Sequence, residues 1–294
     1  MKLAIYGRVY KKEYQQQLQD LFDYLHENEI EFYVEESFLI QCKQAQLRIQ
    51  QTDTFESYAS LKIHKVDYVV SIGGDGTILD TLTYIQDLEI PVLGINSGRL
   101  GFLAGVSMND VRKALENLSR GHYSIDSRAV LQLESNRELF EGAKYALNDF
   151  VIHKKDSSSM IIIHTYINGE FLNSYWSDGL IISSPTGSTG YSLSCAGPIM
   201  YPSSSSFAIT PIAPHNLNVR PIVISDENVL SFEIEGRATS YLVSLDSRSE
   251  TINQNVQLAI KKANFTFKLI RYNDDNYLTT LRKKLMWGVD NRNI

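Results

Sequence analysis

Cysteine is nearly absent from the chain, which has 2 in 294 residues. Cys42 and Cys195 lie far apart, with no Cys-x-x-Cys spacing and no neighbouring pair of histidines. This pattern argues against a disulfide framework and against a zinc site, and we predict no metal-ligating side chains. Two incidental thiols are typical of a reduced, cytoplasmic protein, because disulfides are rare in the cytosol.

Long apolar runs and excess positive charge are missing as well. No stretch approaches the roughly 20 apolar residues of a membrane span, and residues 1–7 turn polar too early for a signal peptide. The 28 Lys+Arg stand against 34 Asp+Glu, which gives a formal net charge of −6. We therefore expect neither a membrane nor a nucleic-acid partner. A small anion is still possible, since backbone N–H groups can hold one.

The composition that remains is that of an ordinary folded protein, with 43% hydrophobic and 21% charged residues. Residues 1–124 alternate between strand and helix patterns, which predicts an α/β domain with a parallel sheet. Ser107 and Asp110 match a capping box, and Gly121 is a helix stop. The predicted strands are residues 3–6, 31–35, 66–72 and 91–95, and the predicted helices are 11–28, 77–85 and 107–121, with a loop and a helix between 40 and 60.

From about Ser124 the pattern changes to short strands without a convincing helix before Thr186. Asn168-Gly169 between two alternating runs predicts a hairpin, because a type I′ turn needs positive φ at both central residues. A helical pattern returns at residues 277–287 and stops at Gly288. We predict an α/β domain (1–124), an all-β sandwich domain (125–270) and a C-terminal helical segment (271–294). The predicted later strands are 146–152, 161–167, 170–176, 180–183, 220–224, 229–234, 241–245, 256–260 and 265–270.

A glycine-rich turn, Gly73-Gly74-Asp75-Gly76-Thr77, stands between a predicted strand and a predicted helix. Its glycines let the backbone approach a phosphate, and the helix N-terminus favours negative charge. An acid in such a turn is electrostatically awkward unless it binds a metal or accepts a proton from a hydroxyl. The alternative is that Asp75 only orders a tight turn.

Two further polar motifs could bind a nucleotide. The first runs from Ser184 to Ser194, includes Thr186, Thr189, Gly190 and Tyr191, and could equally be a Ser/Thr-rich surface loop. The second is Asn148-Asp149. An amide beside a carboxylate suits the two hydroxyls of a ribose, although an isolated Asn-Asp is usually just a turn.

Taken together and in this order, the three motifs resemble the NAD kinase family over nearly the whole chain. Residues 94–103, 176–179, 194–199, 209–215 and 220–223 also look like blocks of that family. The glycine turn alone would fit lipid or sugar kinases too, but those lack the Thr-Gly-Ser-Thr-x-Tyr loop. A non-catalytic NAD-sensing protein is the other alternative, and an intact Asp75 argues against it.

The resemblance implies Mg²⁺-dependent transfer of the γ-phosphoryl group of ATP to the 2′-hydroxyl of the adenosine ribose of NAD, giving NADP. It implies that Asp75 is the proton acceptor and that Gly73, Gly74, Gly76 and Thr77 bind the phosphates. It also implies a homodimer or homotetramer and a C-terminal helix that returns to the first domain. The NAD-binding residues it implies are Asp75, Gly76, Phe102, Asn148, Asp149 and Asp178, with Thr186, Thr189, Gly190, Tyr191 and Ser194 on the adenine loop.

Individual positions qualify this resemblance. Phe102 could equally be a plain core residue. Gly190 stands where the family usually has alanine, and Asp149 stands where glutamate is more common. Trp176 and Ser247 stand where arginine and glycine are frequent, so no role is transferred to either. His215 is expected to be structural.

Overall fold

The structure is a computed structural model that describes residues 1–50, 53–98, 101–155, 160–272 and 276–286. The chain divides into two compact units. Unit 1 consists of Met1–Asp126 and Lys268–Ile294, and unit 2 consists of Ser127–Phe267. Each unit has a hydrophobic core of its own.

Unit 1 is an α/β unit with a parallel sheet, which confirms the predicted fold class for this part of the chain. Across the sheet the strand order is β5, β4, β1, β2, β3, with β6 beside β5, and every one of these pairs is parallel. In chain order the elements are β1 (Lys2–Gly7), α1 (Gln15–Glu27), β2 (Glu31–Glu35), α2 (Glu36–Gln44), β3 (Thr54–Phe55), α3 (Tyr58–His64), β4 (Tyr68–Gly73), α4 (Asp75–Ile85), β5 (Val92–Asn96), β6 (Val106–Ser107) and α5 (Val111–Ser119).

The central strands of unit 1 are buried along most of their length. All residues of Val92–Asn96 are buried, as are the middle residues of β4. A strand covered by helices on both faces needs such a continuous apolar run. In α1, Leu18, Phe22 and Leu25 recur at helical spacing on one buried face. This packing places the carboxyl ends of β4 and β5 next to each other.

Unit 2 is an antiparallel β-sandwich, as predicted. One sheet has the order β14, β13, β12, β9, β16, β17, and the other runs β11, β10, β15, β18, with β7 beside β18 and β8 beside β7. The elements are β7 (Ser124–Ser135), β8 (Tyr145–Ala146), β9 (Asp149–Lys154), β10 (Ile161–Ile167), β11 (Glu170–Ser177), β12 (Gly179–Ser183), α6 (Tyr191–Ser194), β13 (Ser206–Ile212), β14 (Ile222–Ser225), β15 (Leu230–Glu235), β16 (Tyr241–Leu245), β17 (Arg248–Ile252) and β18 (Leu258–Arg271).

The two sheets of unit 2 share one core. Alternate residues point inward, so that Phe150 of one sheet packs against Phe232 of the other, with ring centroids 5.9 Å apart. The predicted hairpin is confirmed: β10 and β11 are joined by Asn168 and Gly169, with φ of 51° and 83°. Asn168 also receives the Val229 N–H at 2.9 Å.

The final helix, α7 (Tyr277–Leu285), belongs to unit 1. The Tyr277 ring lies 6.2 Å from the Phe102 ring, centroid to centroid, and Leu281 is buried. The predicted stop at Gly288 lies outside the described residues. Among the described helices, none combines the length and the apolar character that a membrane crossing requires.

The strands Ser124–Ser135, Ser206–Ile212 and Arg248–Ile252 were not predicted, and one predicted division between strands was wrong. The two strands predicted at 256–260 and 265–270 are a single strand, β18. Lys261 and Lys262 lie between the two predicted ranges. In the structure both lysines remain in the strand and pair with carboxylates, Lys261 with Glu134 at 3.0 Å and Lys262 with Asp226 at 2.8 Å.

Two predictions about helices also need correction. The segment 40–60 contains the end of α2, the strand β3 and the start of α3, rather than a loop and one helix. The helix α2 begins as early as Glu36, because the Glu35 side chain accepts the Phe38 N–H directly after β2. The expected capping box does not form. The Ser107 hydroxyl instead accepts the Asn109 N–H at 3.3 Å and begins a 3-10 turn, while Asp110 caps α5 without a side-chain bond.

Gly169 supplies a test of the hairpin. A Cβ at this position would meet no atom within 4 Å, so replacement by alanine adds backbone strain without a clash. We expect Gly169→Ala to lower the free energy of unfolding by about 1–2 kcal/mol, the cost of a left-handed non-glycine residue. Urea unfolding would measure this, with the adjacent exposed Glu170→Ala as the control. Unchanged stability would contradict the turn assignment.

Candidate active site

The glycine turn of unit 1 is the start of a helix. Gly74 is the N-cap of α4, and Asp75 and Gly76 are its first residues. A Cβ on Gly73 would lie 2.0 Å from the Thr77 hydroxyl, so that glycine is needed for packing. A Cβ on Gly74 would meet nothing within 4 Å, and one on Gly76 only the Arg8 guanidinium at 3.9 Å. The turn thus presents open backbone at a helix N-terminus, where an anion is favoured.

The Asp75 carboxylate is bound by three successive backbone N–H groups. Phe102 donates to Oδ2 at 2.7 Å, and Leu103 and Ala104 donate to Oδ1 at 3.0 and 3.1 Å. A Cβ on Gly101 would lie 1.8 Å from Oδ1, so the loop approaches the carboxylate too closely for any other residue there. A carboxylate offers about four lone-pair positions. Donors among the described residues use three of them, which leaves one for another donor.

The carbonyl side of the same loop is held by Arg271. Its guanidinium donates to the carbonyls of Phe102 at 2.9 Å and Leu103 at 3.1 Å, and its Nε donates to the Asp126 carboxylate at 3.2 Å. A planar guanidinium can serve three acceptors in one fixed geometry. The loop at 101–104 is therefore fixed from its N–H side by Asp75 and from its C=O side by Arg271.

Two cations near the glycine turn were not found from the sequence. Arg8 follows β1, its guanidinium lies near Gly76, and it pairs with Asp80 at 3.5 Å. Lys11 donates to the Ser97 carbonyl at 2.6 Å. Neither belongs to a phosphate-binding motif. Only their position after β1, beside β4 in a parallel sheet, indicates that they lie at the edge where α4 begins.

Phe102 combines a partly exposed side chain with a backbone that is hydrogen-bonded on both sides. Its side chain is half-buried against Tyr277, while its backbone is bound on both sides by Asp75 and Arg271. The structure thus gives Phe102 a role in the backbone arrangement that sequence analysis did not assign. It leaves part of the ring accessible.

In unit 2, Asn148 and Asp149 lie where one strand ends and the next begins. The strand predicted at 146–152 is interrupted: β8 ends at Ala146 and β9 begins at Asp149. Asn148 Oδ1 is buried and has no hydrogen-bond partner among the described residues. A buried acceptor without a partner costs about 1–3 kcal/mol, so this atom fits a donor from a ligand.

Burial raises the pKa of Asp149 to about 7, from an ordinary value of 3.8, and the neighbouring Asp246 carboxylate raises it further. The folded state therefore binds this proton more tightly than the unfolded chain does. It follows that the contribution of Asp149 to the free energy of unfolding falls as the pH rises from about 4 to about 7. A buried carboxyl whose pKa is raised this far is a candidate for a functional site.

The Ser/Thr-rich loop packs directly on this pair. Ser184 donates its N–H to the Asn148 carbonyl at 2.9 Å, and a Cβ on Gly187 would lie 2.0 Å from that same oxygen. A Cβ on Gly190 would lie 3.6 Å from Asn148 Nδ2 and 4.0 Å from Asp149 Oδ2. The structure therefore brings the two motifs together, and the open interpretation of a mere surface loop does not hold, since residues 184–188 are buried.

The loop also covers a buried cation. The Thr186 hydroxyl accepts a hydrogen bond from Arg128 at 3.3 Å, and Arg128 is only 3% exposed. The Thr189 hydroxyl donates to the Thr186 carbonyl at 3.3 Å. Tyr191 and Ser194 are exposed on the short helix α6, with Tyr191 at 42% exposure. These two side chains are accessible to a ligand, whereas Thr186 is buried and its hydrogen bonds stabilise the loop.

Asp178 stands between β11 and β12 and forms an ion pair. Its Oδ1 lies 2.6 Å from Lys154 Nζ, and both side chains are partly exposed. Electrostatic interactions connect Tyr191 with both Asp149 and Asp178. Among the other residues singled out from the sequence, Trp176 is exposed on β11 and accepts the backbone N–H of His215, whose side chain is also exposed.

Both parts of the chain match models of a known protein family. Residues 3–123 match a family model described as the ATP-NAD kinase N-terminal domain, and residues 147–272 match the ATP-NAD kinase C-terminal domain. The chain belongs to the NAD kinase family. Proteins of this family are phosphotransferases that act on NAD, and this is the chain's activity. Membership excludes the lipid or sugar kinase that the glycine turn alone allowed.

Relatives of this family align along the whole chain. The NAD kinase of Cytophaga hutchinsonii is 47% identical over 297 residues, and that of Flavobacterium johnsoniae is 44% identical over 295, each covering 100% of both chains. Yeast NADH kinase, solved with NADH, has a TM-score of 0.87 at 19% identity, covering 99% of this chain and 88% of its own. An Archaeoglobus fulgidus NAD kinase, solved with ATP, has a TM-score of 0.75 at 22% identity, covering 97% and 99%. These two structures share the fold.

The contact between Gly101 and Asp75 provides a test of the loop. In Gly101→Ala the methyl group would occupy the space of Asp75 Oδ1, so the carboxylate must leave its three N–H donors. We expect kcat to fall at least about tenfold, because small displacements of reacting groups have large effects, while the thermal unfolding transition remains cooperative. Gly98→Ala is the matched control, since its Cβ would meet no atom closer than 3.6 Å. An equal effect of both substitutions would contradict this account.

Proposed function

We propose that the phosphoryl group passes to the 2′-hydroxyl of the adenosine ribose of NAD and that Asp75 is its proton acceptor. The remaining lone-pair position of the Asp75 carboxylate supports this role, because the other three positions are fixed by the 102–104 N–H groups. A fixed carboxylate can orient a hydroxyl and take its proton late in a loose transfer. The proposal rests on the Asp75 carboxylate at the start of α4, which three backbone N–H groups hold in place.

We assign NAD binding to the polar motifs of unit 2. Asn148 and Asp149 accept hydrogen bonds from ribose hydroxyls, which is supported by the unpartnered Asn148 Oδ1 and by the buried Asp149 carboxyl. Thr189, Gly190, Tyr191 and Ser194 form the adenine side, and the buried Thr186 supports this loop through its hydrogen bond with Arg128. Asp178 accepts from the nicotinamide carboxamide through the oxygen not paired with Lys154, and the half-buried Phe102 ring lines the dinucleotide.

Phosphates bind at Gly73, Gly74, Gly76 and Thr77 of the turn. The open backbone at Gly74 and Gly76 and the Arg8 guanidinium near Gly76 support this assignment. No group of three or more His, Cys, Asp or Glu side chains in the described ranges could hold a metal ion. We therefore propose that Mg²⁺ is held through the ATP phosphates, whose negative charge it offsets.

The activity is tested by incubating the pure protein with NAD and Mg-ATP and measuring NADP with an NADP-specific dehydrogenase. In Asp75→Asn we expect kcat to fall by orders of magnitude, because the amide cannot accept the proton. Asp87→Asn is the control, since Asp87 binds only the Tyr58 hydroxyl among the described partners.

Full activity of Asp75→Asn would contradict the role of Asp75. NAD binding by the wild-type protein without any NADP, at every Mg²⁺ concentration and with every phosphoryl donor, would favour the non-catalytic sensing protein instead. The two outcomes are distinct, since the first concerns one residue and the second the reaction itself.

The pKa of Asp149 predicts a pH-dependent KM for NAD. Ribose hydroxyls donate to the ionised carboxylate, which predominates only above about pH 7. We therefore expect the KM for NAD to fall as the pH rises from 6 to 8, by at most about tenfold per unit for one proton. In Asp149→Asn the KM should be higher and should not change across this range. The same slope in wild type and variant would exclude Asp149 as the cause.

The oligomeric state and cellular location complete the proposal. The family resemblance supports a homodimer or homotetramer, and the pair of incidental thiols supports a cytoplasmic protein. Both stay predictions of the sequence.

A further inference from the structure

We infer that Asp246 is a positioning residue for NAD binding, which holds the peptide that carries Asn148 and Asp149. This inference rests on the proposed role of Asn148 and Asp149. The Asp246 carboxylate accepts three successive backbone N–H groups: Leu147 donates to Oδ2 at 2.8 Å, and Asn148 and Asp149 donate to Oδ1 at 2.7 and 3.1 Å.

The hairpin between β16 and β17 brings Asp246 to this place. The two strands are joined by Asp246 and Ser247, and β16 pairs antiparallel with β9 up to the pair Leu245 and Phe150. The Asp246 N–H continues this ladder by donating to the Asp149 carbonyl at 3.0 Å. Asp246 then takes a left-handed conformation, with φ of 53°, which turns its carboxylate back toward the N–H groups. Aspartate tolerates this conformation better than most residues.

The carbonyl side of the same segment is bound by Arg248. Its guanidinium donates to the carbonyls of Ala143 and Tyr145. Residues 143–149 are thus fixed by a carboxylate on their N–H groups and by a guanidinium on their carbonyls. The segment crosses between two strands without a regular ladder of its own at Leu147 and Asn148, so these bonds replace the missing strand partner.

The charge of Asp246 acts on the same site. Asp149 interacts electrostatically with Asp246 and with Tyr191 on α6, and Asp246 interacts with Arg248 on β17. Burial raises the pKa of Asp246 to about 6, against the effect of its three N–H donors and of Arg248. The like charge of Asp246 adds to the burial that raises the pKa of Asp149. Asp246 therefore influences both where Asp149 points and when it ionises.

The substitution Asp246→Asn separates these effects from general stability. An amide presents a donor to one of the three N–H groups, so the segment loosens, and we expect the KM for NAD to rise at least about tenfold with little change in kcat or in the KM for ATP. Removing the like charge should also move the pH midpoint of the KM for NAD to a lower value. A purely structural role would raise the KM at every pH without moving its midpoint.

Asp226→Asn is the matched control. Asp226 is a buried aspartate of the same unit, but it pairs with Lys262 rather than with backbone N–H groups. Its substitution should leave the KM for NAD and the pH midpoint unchanged. An unchanged KM and midpoint in Asp246→Asn, or the same change in both variants, would overturn the inference.

Amide hydrogen exchange of the wild-type protein decides the matter even where Asp246→Asn does not fold. Protonation of Asp246 weakens its acceptor oxygens, so the protection factors of the Leu147, Asn148 and Asp149 amides should fall together as the pH drops through about 6. The Lys154 amide, which donates to the Asp178 carbonyl, is the control and should not follow. If the protection factors of these three amides do not change with pH, the inference is wrong.

The proposed function and this inference fail in different ways. If Asn148→Ala and Asp149→Asn keep the wild-type KM for NAD, the assignment of the binding pair is wrong. If those two variants lose affinity while Asp246→Asn keeps the wild-type profile, the pair is correctly assigned and only the positioning role of Asp246 is wrong.

Discussion

Three successive backbone N–H groups that converge on one carboxylate are the interaction on which both candidate sites depend. Asp75 binds the N–H groups of 102–104 in unit 1, and Asp246 binds those of 147–149 in unit 2. Consecutive N–H groups form a concave anion site, and an aspartate fills it permanently. A loop that would otherwise need a sheet partner is fixed by a single side chain.

An arginine also binds carbonyl groups within the first of these loops and just before the second. Arg271 serves the carbonyls of 102 and 103, and Arg248 serves those of 143 and 145. Hydrogen bonds to charged groups contribute about 1.5–3 kcal/mol each, more than neutral ones. A segment bound on both sides keeps its geometry before a ligand arrives, and preorganised groups of this kind are effective in phosphoryl transfer.

The sequence allowed most of the elements and the polar motifs to be predicted, but not the hydrogen bonds that fix those motifs in place. Strand and helix periods are local, so the parallel sheet, the sandwich and the Asn168-Gly169 hairpin could be predicted. The partners of Asp75 lie 27 to 29 residues away, and those of Asp246 lie 97 to 99 residues away. No local pattern records such pairs. The division of β18 into two predicted strands was wrong for a related reason, because Lys261 between them pairs with a carboxylate that is distant in the sequence.

The formal net charge of −6 raises a question for a protein that binds two anionic nucleotides. Its carboxylates near the candidate sites do not present free negative charge. Asp75 is covered by N–H groups, Asp178 is paired with Lys154, and Asp149 holds its proton up to about pH 7. The open backbone at the α4 N-terminus and the Arg8 guanidinium are the groups that we propose for phosphate. The acidity of the chain is therefore compatible with anionic nucleotides, because the acids at the proposed sites are hydrogen-bonded, paired with a cation or, for Asp149, only partly ionised near pH 7.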